Sequence, residues 1–135
     1  MTPLRRIAVV GNSLPRRCGI ATFTTDLQQA ISTSRPTLEA CIVAMTDHGQ
    51  TYDYPKAVAF HIQDDKIEEY IRAADLLNAG RFDTVCLQHE FGIFGGEAGE
   101  MILDLVDGVQ VGRVGDAEEQ PFAALKQRQH AVFGQ

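Results

Sequence analysis

The sequence has no tryptophan, and its three cysteines, Cys18, Cys41 and Cys86, form no C-x-x-C pair. Cys41 and Cys86 stand inside apolar runs, where cysteine behaves as a small hydrophobe, so the usage is that of a reducing compartment without a disulfide frame. No uninterrupted apolar run approaches the roughly 20 residues that cross a bilayer, and the N-terminus has no hydrophobic segment of the secretory kind. The default expectation is a cytoplasmic protein with no membrane span. Positive charge is also scarce: 12 Lys and Arg face 18 Asp and Glu, a net charge of −6. Phosphate backbones are repelled at long range by that balance, so no nucleic-acid partner is expected and any anionic ligand must be held locally.

At 135 residues, 44% hydrophobic and 22% charged, the chain has the composition of one ordinary globular domain. Its apolar runs are short and separated by helical patterns. Arg6 to Gly11 (RIAVVG) is a β-branched run ended by glycine and predicts a first strand buried on both faces. Ile20, Phe23, Leu27, Ala30 and Ile31 recur at steps of three and four and predict a helix with one apolar stripe against the sheet. Leu38 to Met45 and Ala57 to Ile62 predict the second and third strands, joined by the polar stretch Thr46 to Lys56, in which no helix is expected. Asp65 and Glu68 have the spacing of a capping box, Ile67 to Leu77 trace a helical face, and Asn78 to Gly80 supply its stop. Phe82 to Gln88 predicts a fourth strand, and Met101, Ile102, Leu105 and Val106 a third helix. Phe23, Phe60 and Tyr70 are expected in the core, with Asp64, Asp65, Glu68 and Glu69 as cap and solvated helix face.

Strands alternating with helices imply right-handed crossovers and a parallel α/β sheet. The expected unit is Rossmann-like, strand order 3-2-1-4, with helices on both faces. Residues 1–108 would form this domain and 109–135 a divergent tail, with at most one short helix near Pro121 and no convincing fifth strand. The fourth strand would then be a bare edge open to self-association or to a partner chain.

In that order the chain reverses direction between strands one and four, and ligands of open α/β sheets bind where it does so. Two loops would meet there. In the first, Arg16 and Arg17 precede Cys18, Gly19 and Ile20 at the start of a helix, where free N–H groups favour an anion. The alternative is two solvated arginines beside a glycine that lets the turn close. Its glycine spacing does not match the dinucleotide fingerprint, and the G-K-[ST] ending of a P-loop is absent. In the second loop, QHEFGIFGG, His89 and Glu90 are the candidates for catalysis, although a strand-end histidine is more often structural. Gly92, Gly95 and Gly96 permit positive φ and close approach to a ligand, and the last two, read as lying just before the third helix, would offer a second anion site. The alternative is a plain flexible turn. Asp47 and His48 could also reach a sugar or nucleotide. No second His or Cys lies at ligand spacing, so no metal is expected; no cofactor is expected either.

The runs RIAVVGNSLPRRCGIATFTTDL, IVAMTD, YIRAADLLN and FDTVCLQHEFGIFGGEAGE together resemble the N-terminal half of family-4-type retaining glycosyltransferases of the GT-B fold, over about Arg5 to Leu105. The resemblance implies an acceptor-side Rossmann-like domain that faces a second, donor-binding domain across a cleft. Arg16 to Ile20 would lie near the donor diphosphate and His89 to Gly96 would line the acceptor side, with no metal required. The expected ligands are a nucleotide-sugar and a sugar or phosphosugar acceptor. The sequence departs from that pattern after the third helix: no strand ending in a Thr-His turn follows, and the donor domain is absent. The expectation is therefore a half-enzyme inactive by itself. The alternative is a stand-alone binding module for a phosphorylated or sugar ligand.

Overall fold

A computed structural model describes residues 4–88 and 92–110. Its elements run β1 (Arg6–Gly11), α1 (Gly19–Ser34), β2 (Glu39–Thr46), β3 (Val58–Gln63), α2 (Ile67–Gly80), β4 (Thr84–Leu87) and α3 (Ile102–Gly108). The four strands are parallel in the order β3-β2-β1-β4, which is the expected Rossmann-like arrangement. β1 pairs with β2 from Arg6 opposite Glu39 and with β4 from Ile7 opposite Thr84. Residues 47–57 contain no helix, as their polarity predicts; Tyr54 and Ala57 from that connection pack over Ile42, Ala44 and Val58 instead.

Alternation along the strands divides the sheet. Ala8, Val10, Cys41, Val43 and Met45 join Tyr70, Ala73, Ala74, Leu77, Ile102 and Leu105 in the main core, which puts α2 and α3 on one face. α1 covers β1 and β2 on the other.

Five local expectations are corrected. First, α1 does not bury its apolar stripe. Its buried residues are Ala21, Thr24, Thr25 and Gln28, while Phe23, an expected core residue, is 55% exposed. Small side chains let the helix approach β1 closely: a Cβ added at Gly11 would lie 3.0 Å from Thr24 Oγ1 and 3.0 Å from Gln88 Cβ. Gln28 adds a specific anchor by donating from Nε2 to the Ala40 carbonyl at 2.9 Å. A buried hydrogen bond of this kind replaces the apolar contact that periodicity predicts.

Second, Asp65 makes no capping box; Lys66 is the N-cap of α2 and its side chain caps nothing. Third, Glu69 is buried rather than solvated, because its Oε2 accepts from the Gln63 amide at 2.5 Å, and burial raises its pKa. Fourth, the left-handed residue that ends α2 is Arg81, φ 55°, one position beyond the expected glycine stop. Fifth, β4 has four residues, shorter than predicted, because Phe82 turns into the core and the Asp83 carboxylate is occupied by the amides of Arg5 and Arg6, at 2.7 and 2.8 Å.

Candidate functional site

Because all four strands are parallel and β1 lies beside β4, the loops that follow these two strands leave on the same rim of the sheet. In the loop after β1, Asn12 and Ser13 are buried; Asn12 is tied by Nδ2 to the Met45 carbonyl at 3.3 Å, and Ser13 closes a turn by accepting the Arg16 amide at 3.1 Å. Cys18 is the N-cap of α1, its Sγ accepting from the Ala21 amide at 3.3 Å. Gly19 opens the helix with empty space where a Cβ would be, so the backbone there is open to approach. Ile20, half-buried, packs on the core cluster that also holds Ile93 and Phe94 of the second loop.

The two arginines differ. Arg16 donates from Nε to Asp47 Oδ2 at 2.6 Å, and Asp47 also accepts from the Tyr52 hydroxyl at 2.9 Å. Burial alone would raise the Asp47 carboxyl, but the hydrogen bonds from Arg16 and Tyr52 outweigh it and hold the pKa below the usual value. The same bond raises the pKa of the Arg16 guanidinium. Arg16 thus spends its charge largely on Asp47. Arg17 is exposed and makes no ion pair among the described residues.

His89 and Glu90 lie outside the described residues. Gly92 and Gly96 adopt φ of 91° and 97°, as a glycine-rich loop predicts. Gly95 has a different role. A Cβ there would fall 1.8 Å from the Asp64 carbonyl oxygen, so its close approach is to the connection between β3 and α2 within the same chain. Its amide donates to the Tyr70 hydroxyl at 3.0 Å, and that hydroxyl donates to the Asp64 carbonyl at 2.8 Å. Burial pushes the Tyr70 hydroxyl up to about 12. Gly95 and Gly96 do not lie directly before α3 either, because residues 97–101 intervene. The amides of Glu97 and Ala98 are taken by the Glu100 carboxylate at 3.3 and 2.9 Å, which lowers the Glu100 pKa and puts negative charge where a second anion site was expected.

Asp47 and His48 turn from solitary candidates into links. His48 donates its backbone amide to Asp64 Oδ1 at 3.0 Å and brings Nδ1 to 2.9 Å from the same oxygen. Polar contacts join Arg16 to Asp47 and, from its chain neighbour His48, run through Asp64 and Tyr70 to Gly95 along the rim. Sequence reasoning missed Tyr52 and Tyr70 in this role, and also Tyr54, whose hydroxyl meets Thr46 Oγ1 at 2.7 Å while His61 Nδ1 approaches that oxygen at 3.1 Å. No spacing rule marks a tyrosine as a loop brace.

The Asp64 hydrogen bond raises the His48 pKa. A raised folded-state value means that the contribution is fully present below the unfolded value of about 6.5 and is lost as pH rises through the folded one. His48 is exposed, so the effect is small. The melting temperature is expected to fall by less than about 2 °C between pH 6 and about 8.5, and His48→Gln to remove that part of the slope in a thermal scan. An unchanged slope in the variant would dissociate His48 from it.

A shallow apolar depression of ≈ 320 Å³, lined by Leu4, Ile7, Ala30, Ile31, Ser34, Arg35 and Leu38, lies at the other end of the sheet, where β1 begins. Among the described residues no cluster of His, Cys, Asp or Glu is placed to hold a metal ion, and no helix is long and apolar enough to cross a membrane.

Fold and rim together define a Rossmann-like parallel α/β unit with a polar crest at the carboxyl ends of its strands. No protein-family model, curated protein or solved structure matches the chain.

Proposed function

We propose that this chain is the acceptor-side half of a retaining, GT-B-type glycosyltransferase, working in the cytoplasm. In this reading the Arg16–Ile20 turn faces a nucleotide-sugar diphosphate and the Gly92–Gly96 loop faces a sugar or phosphosugar acceptor. The observation that carries it is the adjacency of β1 and β4 at the point where the chain reverses direction, which brings the arginine turn and the glycine loop to one rim. The sequence resemblance over Arg5 to Leu105 supplies the chemistry.

Arg17 provides the free cation and the open backbone at Gly19 a surface for a phosphate. Helix-end electrostatics contributes only about 0.3–1 kcal/mol, so one wall gives weak binding, with Kd near or above about 1 mM. Transfer needs a second wall to orient the donor and stabilise the departing diphosphate.

The purified chain is expected to turn over no nucleotide-sugar, and to bind nucleotide-sugars weakly in an NMR titration. Arg17→Ala should weaken that binding about fivefold or more, in line with one charge-assisted hydrogen bond; His89→Ala should leave diphosphate contacts intact and weaken a sugar phosphate. Measurable turnover would overturn the half-enzyme reading. Equal titration curves for wild type and Arg17→Ala would remove the rim from it.

A further inference from the structure

We propose that the Arg16–Asp47 pair and the Tyr52 ring beside it form a site for the neutral, vicinal hydroxyls of a hexose. The choice of a sugar rests on the functional reading above; what is added is a binding element from the connection after β2.

Asp47 is the first residue after β2 and stands at the carboxyl end of the sheet, beside the turn that follows β1. Its two side-chain donors, Arg16 Nε at 2.6 Å and the Tyr52 hydroxyl at 2.9 Å, both go to Oδ2. Oδ1 accepts no hydrogen bond among the described residues, although each carboxylate oxygen has room for two. Arg16 spends only Nε on Asp47. Its Nη groups donate to no oxygen among the described residues, the Cys18 thiol being the other group its charge meets. Both side chains stay in reach of solvent, at 29% exposure for Arg16 and 33% for Asp47. The pair thus holds an unfilled acceptor and unfilled donors fixed against each other by one short bond.

Charge selects the ligand. Guanidinium and carboxylate cancel, so a phosphate placed on Arg16 is repelled by the neighbouring carboxylate, and a metal ion placed on Asp47 is repelled by the guanidinium. A hydroxyl carries no charge and both donates and accepts. Two hydroxyls on adjacent ring carbons satisfy the pair together, one donating to Oδ1 and the next accepting from Nη, each bond strengthened by the charge on its protein partner.

Tyr52 supplies the apolar ground. It is half-buried, with its ring centre 5.7 Å from that of Tyr54 and the planes inclined at 46°; Tyr54 lies 5.8 Å from His61 in turn. At that tilt Tyr54 props the Tyr52 ring without covering a face as a parallel stack does. The C–H side of a pyranose suits such a face, because the negative potential over an aromatic ring attracts C–H edges. A few fixed polar groups on apolar ground set a ligand's orientation.

The test is an NMR titration of the full chain with methyl glucoside, galactoside and mannoside to about 100 mM, since a single sugar on one wall binds weakly. Tetrahydropyran, a ring without hydroxyls, is the control. At least one hexoside is expected to shift the amides of residues 47–52, and tetrahydropyran to leave them in place. Asp47→Asn removes the charged acceptor and should weaken that hexoside at least about fivefold. Tyr52→Phe removes the hydroxyl that braces Asp47 but keeps the ring, Oδ1 and Nη, and should change affinity by less than about twofold. Unchanged β1 and β3 amides show that both variants are folded. Equal shifts with tetrahydropyran, an unaltered hexoside curve in Asp47→Asn, or equal losses in the two variants would overturn the proposal, the last because the cluster then serves only to hold the loop. Nucleoside diphosphate binding that depends on Arg17, with no hexoside shift, would overturn this site and leave the functional reading standing. Hexoside shifts with no diphosphate binding would support the site and remove the diphosphate contact from that reading.

Discussion

Gly95→Ala is expected to be among the most damaging single-methyl additions in this protein, with a loss of about 3 kcal/mol or more in a denaturant titration. The new Cβ would stand 1.8 Å from the Asp64 carbonyl oxygen, 2.9 Å from its carbonyl carbon and 2.7 Å from Met101 Sδ. The sulfur can move, but the carbonyl is backbone and its oxygen already accepts from the Tyr70 hydroxyl. Relief therefore requires separating the glycine loop from the start of α2, breaking the Gly95 to Tyr70 bond and loosening Ile93 and Phe94, both buried. Overpacking commonly costs about 1–3 kcal/mol, and an unyielding neighbour puts this site at or beyond the upper end. Gly92→Ala is the control. Its φ of 91° is strained for alanine but nothing lies within 4 Å, so it should cost only about 1–2 kcal/mol. If the two variants unfold at the same denaturant concentration, the tight packing at Gly95 is not what the loop depends on.

Arg6→Ala should cost about 2–5 kcal/mol, a large share of the 5–15 kcal/mol that holds an ordinary domain together. The Arg6 side chain is 2% exposed; its guanidinium donates to the Gly80 carbonyl and lies 5.2 Å from the centre of the Phe82 ring. Its contact with Glu39 Oε2 at 3.1 Å is the lesser part, because that glutamate is 52% exposed and solvent screens the pair. Glu39→Gln should therefore change stability by less than about 1 kcal/mol. Truncating Arg6 instead leaves a buried carbonyl without this donor and a void beside Phe82. Chemical denaturation of the two variants separates these contributions, and a Glu39→Gln loss equal to that of Arg6→Ala would reverse the assignment.

Three of the four strands were legible in the sequence to within a residue because they are largely buried, whereas half-buried β4 is shorter than its apolar run suggests. RIAVVG predicts β1 with the observed ends, and β2 and β3 fall within a residue of prediction, since an apolar run between polar turns has few other ways to fold. Strand order followed from alternation and handedness. The polar interior was not legible. Thr24, Thr25 and Gln28 face inward on α1 because β1 is close and Ala40 offers a carbonyl, and both conditions come from residues distant in sequence. Arg6 reads as the polar start of a strand, and only the C-terminal turn of α2 beneath it shows why it is buried. At the rim, the arginine and glycine loops were found by position, but the way Asp47 draws off Arg16 and Glu100 fills the amides at 97 and 98 depends on side-chain geometry that no spacing encodes.

The polar series along the rim has a mechanical consequence. Contacts tie the turn after β1, the connection after β2, the residue after β3 and the glycine loop one to the next, from Arg16 through Asp47, His48, Asp64 and Tyr70 to Gly95. Under the function proposed above, the rim would present a ligand with loops already braced against one another, which lowers the ordering cost of binding. Arg17 is exposed and stands outside these contacts, so its replacement should leave the bracing of the loops unchanged.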